Sequence, residues 1–181
     1  PCLYTLTKGS SFLILGNYVD DMLKATNDPE LRKEVDKLLE SEFKITHDGA
    51  VSDFIGLQIE WKTDPHGTRY LSVHQHKYIE KILNRYGMAN CNPVTSPCNT
   101  TGKPHEVYMF PNPVPAENND PALVSEYRGI VGALIYPSIL SRLDISYAVS
   151  AIGQFMSNPT LQHLTAAYRI LRYLKGTKHY T

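Results

Sequence analysis

The chain has 181 residues, 42% hydrophobic and 20% charged, with eighteen acidic and eighteen basic side chains and hence a formal charge of zero. That is enough for one large domain or two small ones with an ample core, and it argues against a protein that coats nucleic acid indiscriminately. No apolar run is long enough to span a bilayer, Pro1-Cys2-Leu3-Tyr4 is no secretory leader, and Cys2, Cys91 and Cys98 are too scattered for a disulfide framework, which points to a reducing compartment. A first residue of proline suits a fragment or a processed piece. Charge is unevenly spread: residues 20–60 carry eleven acidic and five basic side chains, net −6, and residues 121–181 two acidic and six basic, net +4. Such a split suits an enzyme that grips a polyanion away from its chemistry, and equally two ordinary surfaces.

In chain order, Ser11–Gly16 and Met22–Thr26 are short β-rich runs flanking Tyr18-Val19-Asp20-Asp21, which reads as an antiparallel hairpin with carboxylates at its tip. The tip lacks the Asn-Gly or Asp-Gly of a relaxed two-residue turn, and a β-branched Val stands where bending is hardest. A break in local turn chemistry often marks a site. Two adjacent anions repel unless a cation lies beside them, and Mg²⁺, a hard ion that takes carboxylate oxygens, is the natural candidate for Asp20 and Asp21. The bland alternative is an exposed acidic turn. This four-residue string arises by chance in roughly one chain in a thousand of this length.

Asn27-Asp28-Pro29-Glu30 then starts a helix, with a capping side chain, Pro at the first position and acid in the first turn. Leu31, Val35, Leu38, Leu39 and Phe43 form its apolar stripe, leaving Arg32, Lys33, Asp36, Lys37 and Glu40 as a solvated face. This helix is expected beneath the hairpin. Two strands follow, Phe54–Trp61 and Tyr70–Val73, joined through a Pro- and Gly-containing turn at 63–68. Lys77–Tyr86 reads as a helix stopped by Gly87. From Asn90 to Asp120 six prolines and no apolar period predict a mobile linker. Three helices complete the chain, about Glu126–Leu140, Ile145–Met156 and Leu161–Lys175, with Pro137 expected to kink or end the first early. In the last, Leu164, Ala167, Ile170, Leu171 and Leu174 are the buried stripe and Arg169 and Arg172 fall away from it. His74, His76, Cys91, Cys98 and His105 include zinc-ligand types, but the spacing of the two cysteines is not that of a finger, and plain thiols are the better reading.

Taken together, these segments resemble the copia-type long-terminal-repeat retrotransposon reverse transcriptases. The resemblance rests on Tyr18-Val19-Asp20-Asp21 and on Cys2-Leu3-Tyr4, Phe54-Ile55-Gly56-Leu57-Gln58-Ile59 and Leu71-Ser72-Val73-His74-Gln75-His76-Lys77-Tyr78-Ile79. It continues through Tyr127-Arg128-Gly129-Ile130-Val131-Gly132-Ala133-Leu134-Ile135-Tyr136, Asp144-Ile145-Ser146-Tyr147-Ala148-Val149 and Arg169-Ile170-Leu171-Arg172-Tyr173-Leu174-Lys175-Gly176-Thr177, in the family's order over nearly the whole chain.

The resemblance implies an α+β fold. Residues 1–88 would be the C-terminal part of a polymerase palm, with antiparallel hairpins and a helix; 89–121 a linker; 122–181 a helical thumb-like bundle. It implies that Asp20 and Asp21 are catalytic and hold Mg²⁺ in a two-metal site, Asp20 more directly. Tyr18 would face the primer terminus or template. The second hairpin, with Gln58, would be similar to a primer grip, and Arg128, Arg142, Arg169, Arg172 and Lys175 would meet backbone phosphates. Implied partners are an RNA or DNA template with a DNA primer, dNTP in the full enzyme, and the rest of a Pol polyprotein (upstream palm and fingers, downstream ribonuclease H), with no membrane. The implied placement is cytoplasmic, in a virus-like particle, and nuclear.

Two carboxylates cannot complete both metal octahedra, and the family's third comes from a strand upstream of Tyr18. Asp48 and Asp53 are expected on the far side of the helix. The isolated chain is therefore expected to lack polymerase activity. Asn17, Lys24, Leu143 and Pro137 depart from the family's pattern, which is compatible with a decayed copy. A relict or domesticated non-catalytic module, binding nucleic acid or a protein, is the alternative reading.

Overall fold

The computed structural model describes residues 2–98 and 120–180. The chain divides into two compact units, 1–72 and 73–181.

In the first unit β1 (Leu3–Lys8), β2 (Ser11–Tyr18) and β3 (Asp21–Thr26) form an antiparallel meander. Strand β1 was not foreseen; its signal was the Gly9-Ser10 turn, where Gly9 takes the left-handed φ of +60° that glycine adopts without penalty. Residues directly opposite share a sheet face. Leu6, Leu13 and Thr26 therefore lie together on one face with Leu15 and Lys24, and Thr5, Ile14 and Ala25 on the other with Tyr18 and Asp21.

Helix α1 (Pro29–Glu42) packs on β2 and β3. Its start is heavily braced. Asp28 Oδ1 accepts from the Glu30 and Leu31 amides, Ser11 Oγ donates to Asp28 Oδ2 at 2.7 Å, and Asn27 bridges the Phe12 amide and the Ser10 carbonyl. The Ser11 hydroxyl and those two amides hold the Asp28 carboxyl below its usual range. The expected apolar stripe is only partly covered: Leu31 is buried, whereas Leu38 and Phe43 are exposed. Nor is the opposite face wholly solvated, because Asp36 forms a half-buried ion pair with Lys24.

The strand expected from Phe54 to Trp61 is broken by a tight turn. β4 (Asp53–Phe54) pairs with β5 (Leu57–Thr63) around Ile55 and Gly56, at φ of +47° and +79°. β6 (Arg69–His74) completes this second sheet. Asp64 Oδ1 accepts from the His66 and Thr68 amides and fixes the β5–β6 turn.

The second unit is helical: α2 (His76–Arg85), α3 (Pro121–Leu140), a 3₁₀ turn at Leu143–Ile145, α4 (Ser146–Gly153) and α5 (Leu161–Gly176). Ile79, Ile82 and Leu83 of α2 are buried with Ile130, Leu134, Ile152, Ile170 and Leu174 in one core. For that reason α2 belongs with the later helices, and the boundary falls after Ser72, not after residue 88. Residues just beyond α2 are packed too: Val94 and Cys98 touch the core, and Arg172 Nε donates to the Asn92 carbonyl at 2.7 Å. The expected linker from 99 to 119, with His105, lies outside the described residues.

Helix α3 begins five residues before its expected start, capped by Asp120, and it runs through Pro137 without ending. Proline has no N–H for the carbonyl four residues back, which is Ala133. The Tyr78 hydroxyl of α2 donates to that carbonyl at 3.0 Å. Helix α5 opens on a capping box in which His163 Nδ1 accepts from the Thr160 amide, its ring buried and stacked on Phe155. Burial pushes the His163 pKa down.

Candidate functional site

Tyr18 is the last residue of β2 and pairs with Asp21, the first of β3, so Val19 and Asp20 alone make the turn. Val19 takes φ of +52°, a left-handed conformation that a β-branched side chain rarely adopts. Strain of this kind concentrates where a site demands it. Tyr18 is 58% exposed and Val19 78%. Asp20 and Asp21 are exposed as well, and among the described residues neither carboxylate has a hydrogen bond or ion pair.

Both aspartates line a groove of 830 Å³ whose far wall is the 44–54 segment. Asp48 and Asp53 face this same groove, which corrects their expected place behind the helix. The chain doubles back after α1, and a loop without periodicity gave no sequence signal of that. Basic side chains stand in the wall as well: Lys24, Arg32 and Lys44. Lys24 reaches across to Asp36 on α1, with Arg32 at 3.8 Å from the same carboxylate. An apolar position taken by lysine is thus accommodated by a charge partner, and the pair ties the β2–β3 hairpin to its supporting helix. Paired, exposed carboxylate oxygens suit a hard divalent cation. Among the described residues no group of three His, Cys, Asp or Glu side chains is placed to hold one. The donor set fits Mg²⁺ in kind and is incomplete in number.

The remaining candidates scatter. Gln58 sits half-buried on β5 opposite Asp53 and does not line the groove. In the second unit Arg128 is exposed, its Nε donating to the Met156 carbonyl at 2.7 Å. Arg169, Arg172 and Lys175 on α5 are half-buried, Arg172 being spent in part on Asn92. Arg142 is a correction. It is 1% exposed, paired with Asp144 at 2.7 Å, bonded to the Thr177 carbonyl and hydroxyl, and close to the Tyr173 and Tyr180 rings. A guanidinium so enclosed is a brace inside the bundle, out of reach of a phosphate. Burial opposes the charge of Asp144, yet hydrogen bonds from Arg142 and Tyr173 hold its carboxyl below the usual range. Nothing in the local sequence distinguishes Arg142 from its exposed neighbours. One further feature escaped the sequence reading: on the β5–β6 hairpin the Arg69 guanidinium lies over the Trp61 ring, 5.0 Å from its centroid.

A strained β-hairpin tipped by two free carboxylates, carried on a helix-backed meander and followed by a helical unit, is compatible with part of a polymerase domain. Residues 1–100 match the family described as reverse transcriptase (RNA-dependent DNA polymerase), and the chain belongs to that family. It is 38% identical, over 98% of its length, to the retrovirus-related Pol polyprotein of transposon RE1 from Arabidopsis thaliana, and 34% identical over 98% to that of transposon TNT 1-94 from Nicotiana tabacum. These matches agree with the copia-type resemblance. The chain spans only 11% and 13% of those two polyproteins. It is also 39% identical over 88% of its length to an uncharacterized mitochondrial protein of Arabidopsis thaliana, of which the match covers 60%. No solved structure matches. Among the described residues no helix is long and apolar enough to cross a membrane.

Proposed function

We propose that this chain supplies the metal-holding hairpin and part of the template–primer surface of a retrotransposon reverse transcriptase. The observation that carries the reading is the pair Asp20 and Asp21, exposed and unpaired among the described residues at a strained tip beside a groove. Asp20 and Asp21 would hold Mg²⁺, which when bound activates the primer 3′ oxygen and steadies the leaving pyrophosphate. The chain's own work is positional. Tyr18, on the same sheet face as Asp21, presents an aromatic edge to the primer terminus, and the β5–β6 hairpin with Gln58 holds the primer strand. Arg128, Arg169, Arg172 and Lys175 meet backbone phosphates, where charge matters more than base identity. A third carboxylate must come from another part of a polyprotein, as must the dNTP-binding groups. The isolated chain accordingly has no polymerase activity, and cytoplasmic and nuclear placement follows the element's life cycle.

The test uses Mn²⁺ as a paramagnetic probe. It should broaden the amide resonances of 18–22 in the isolated chain, and Asp20→Asn with Asp21→Asn should abolish the effect. Unchanged hairpin resonances at millimolar Mn²⁺ would refute the metal site, and primer extension by the isolated chain would refute its predicted inactivity. A second reading, a non-catalytic relict that still binds nucleic acid or a protein, draws support from the mitochondrial relative, 60% of whose length is similar to this segment. Loss of the Mn²⁺ response with retained nucleic-acid binding would favour it.

A further inference from the structure

The chain holds a single tryptophan, and the fold leaves it 59% exposed. Tryptophan has the largest side chain, and its indole offers a broad flat π-face with a polar N–H at its edge. Ile59, two residues earlier on β5 and so on the same side of the strand, is buried, and the apolar character of that face continues outward to Trp61. Arg69, from the opposite arm of the hairpin, lies over the ring, so that a planar cation is stacked on an aromatic face. The surrounding charge is balanced. Glu60 is paired with Lys62 at 3.3 Å, and the Asp64 carboxylate accepts two turn amides. The hairpin's formal charges therefore cancel, Glu60 and Asp64 against Lys62 and Arg69, and the Arg69 guanidinium is the cation set directly on the exposed indole.

We infer that the Trp61–Arg69 pair is a stacking platform for an unpaired base of single-stranded nucleic acid, with Arg69 also attracting the flanking phosphate. The inference rests on the reading of this chain as a nucleic-acid-handling module and adds to it a specific chemistry. An exposed base has a π-face that any sequence provides, and a cation already seated on the ring supplies the complementary charge. A duplex has its bases stacked internally and offers this platform only its ends. The platform thus favours an overhanging template or a frayed primer end over paired segments.

The lone tryptophan makes the test direct. The whole chain is titrated at low salt with twelve-nucleotide oligo-dA and oligo-rA, with a blunt duplex, and with heparin as a polyanion without bases. Indole emission and the anisotropy of a labelled oligonucleotide are read in parallel. Saturable quenching is expected from the single strands and little from heparin. By anisotropy, Trp61→Ala should weaken single-strand binding about fivefold or more, with Trp61→Phe retaining most of the affinity. Because Trp61 is exposed, the alanine variant should keep the wild-type far-ultraviolet spectrum, and it is compared only if it does; a Trp61→Phe chain as weak as Trp61→Ala would count against stacking. Equal quenching by heparin overturns the inference. Oligonucleotide binding that leaves indole emission and the Trp61→Ala affinity unchanged also overturns it, while sparing the proposed function; that result would mark the indole as covered by protein instead. No binding of any nucleic acid overturns both.

Discussion

Helix α3 survives an internal proline because another helix supplies the missing donor, and this can be tested by removing one atom. Tyr78→Phe deletes the hydroxyl that donates to the Ala133 carbonyl at 3.0 Å, while keeping the ring against Tyr136 at 5.1 Å. Pro137 is buried, and its lack of an N–H leaves that carbonyl dependent on Tyr78. Leaving an acceptor unsatisfied costs about 1–3 kcal/mol, toward the low end for a part-buried carbonyl such as that of Ala133, whereas exchanging one satisfied hydrogen bond for another costs little. Tyr78→Phe should therefore lower the urea midpoint of the helical unit, followed by circular dichroism at unchanged m-value, by the equivalent of about 1–3 kcal/mol. In a Pro137→Ala background the helix recovers its own donor, and the same substitution should cost less by about 1 kcal/mol or more. Equal losses in both backgrounds would refute the reasoning, as would a Tyr78→Phe chain as stable as the wild type.

His163 should make the helical unit acid-sensitive: its folded pKa is depressed by burial, so between that value and the unfolded 6.5 the unfolded chain binds more protons and stability falls as pH drops. Urea midpoints should be constant above about pH 7 and decline below about 6.5, and His163→Gln should flatten that decline, which the lowered Asp144 does not shape because its stability is lost only below the usual carboxylate range. Arg142→Met should cost about 3 kcal/mol, the low end for breaking a buried pair because the Asp144 side chain keeps 33% exposure, and the salt dependence of nucleic-acid binding should not change. Val19→Gly should stabilise the chain by up to about 1 kcal/mol in thermal melts, since relief of left-handed strain exceeds the added unfolded-state entropy; a loss of stability would show that the turn is relaxed. Asp20→Asn and Asp21→Asn should each leave the melting curve within about 0.5 kcal/mol of wild type, as expected for exposed side chains that brace nothing.

How far the sequence could be read depended on the range of the interactions. The tip was legible because turn chemistry is local: Val19 broke a rule that four residues suffice to state. The start of α1 was legible for the same reason, with Asp28 and Pro29 adjacent. What failed was long-range. Lys24 looks misplaced on its strand until Asp36 is known to lie opposite, twelve residues on. Pro137 reads as a helix end unless Tyr78 is seen to answer for Ala133 across 55 residues of sequence. Arg142 has the same local credentials as Arg128, and only Thr177 and Tyr173, brought back by α5, separate a brace from a surface cation. Phe54-Ile55-Gly56-Leu57 read as strand because isoleucine rarely tolerates a positive φ; here the turn takes it regardless. Leu38 and Phe43 kept helical spacing without gaining a cover, since periodicity says which side is apolar and not what lies against it.

The two units differ sharply in how much oil they enclose. Only Leu13, Leu31 and Ile59 are buried apolar side chains among the described residues up to Ser72, against sixteen in the helical core. Amide hydrogens of β2 and β3 should consequently exchange with solvent through small openings long before those of α3 and α5, which should open only when the helical unit unfolds. The aspartate tip, in other words, rides on the half of the chain that breathes, so under the proposed function its stiffness would have to be lent by the nucleic acid or polyprotein segment bound against it.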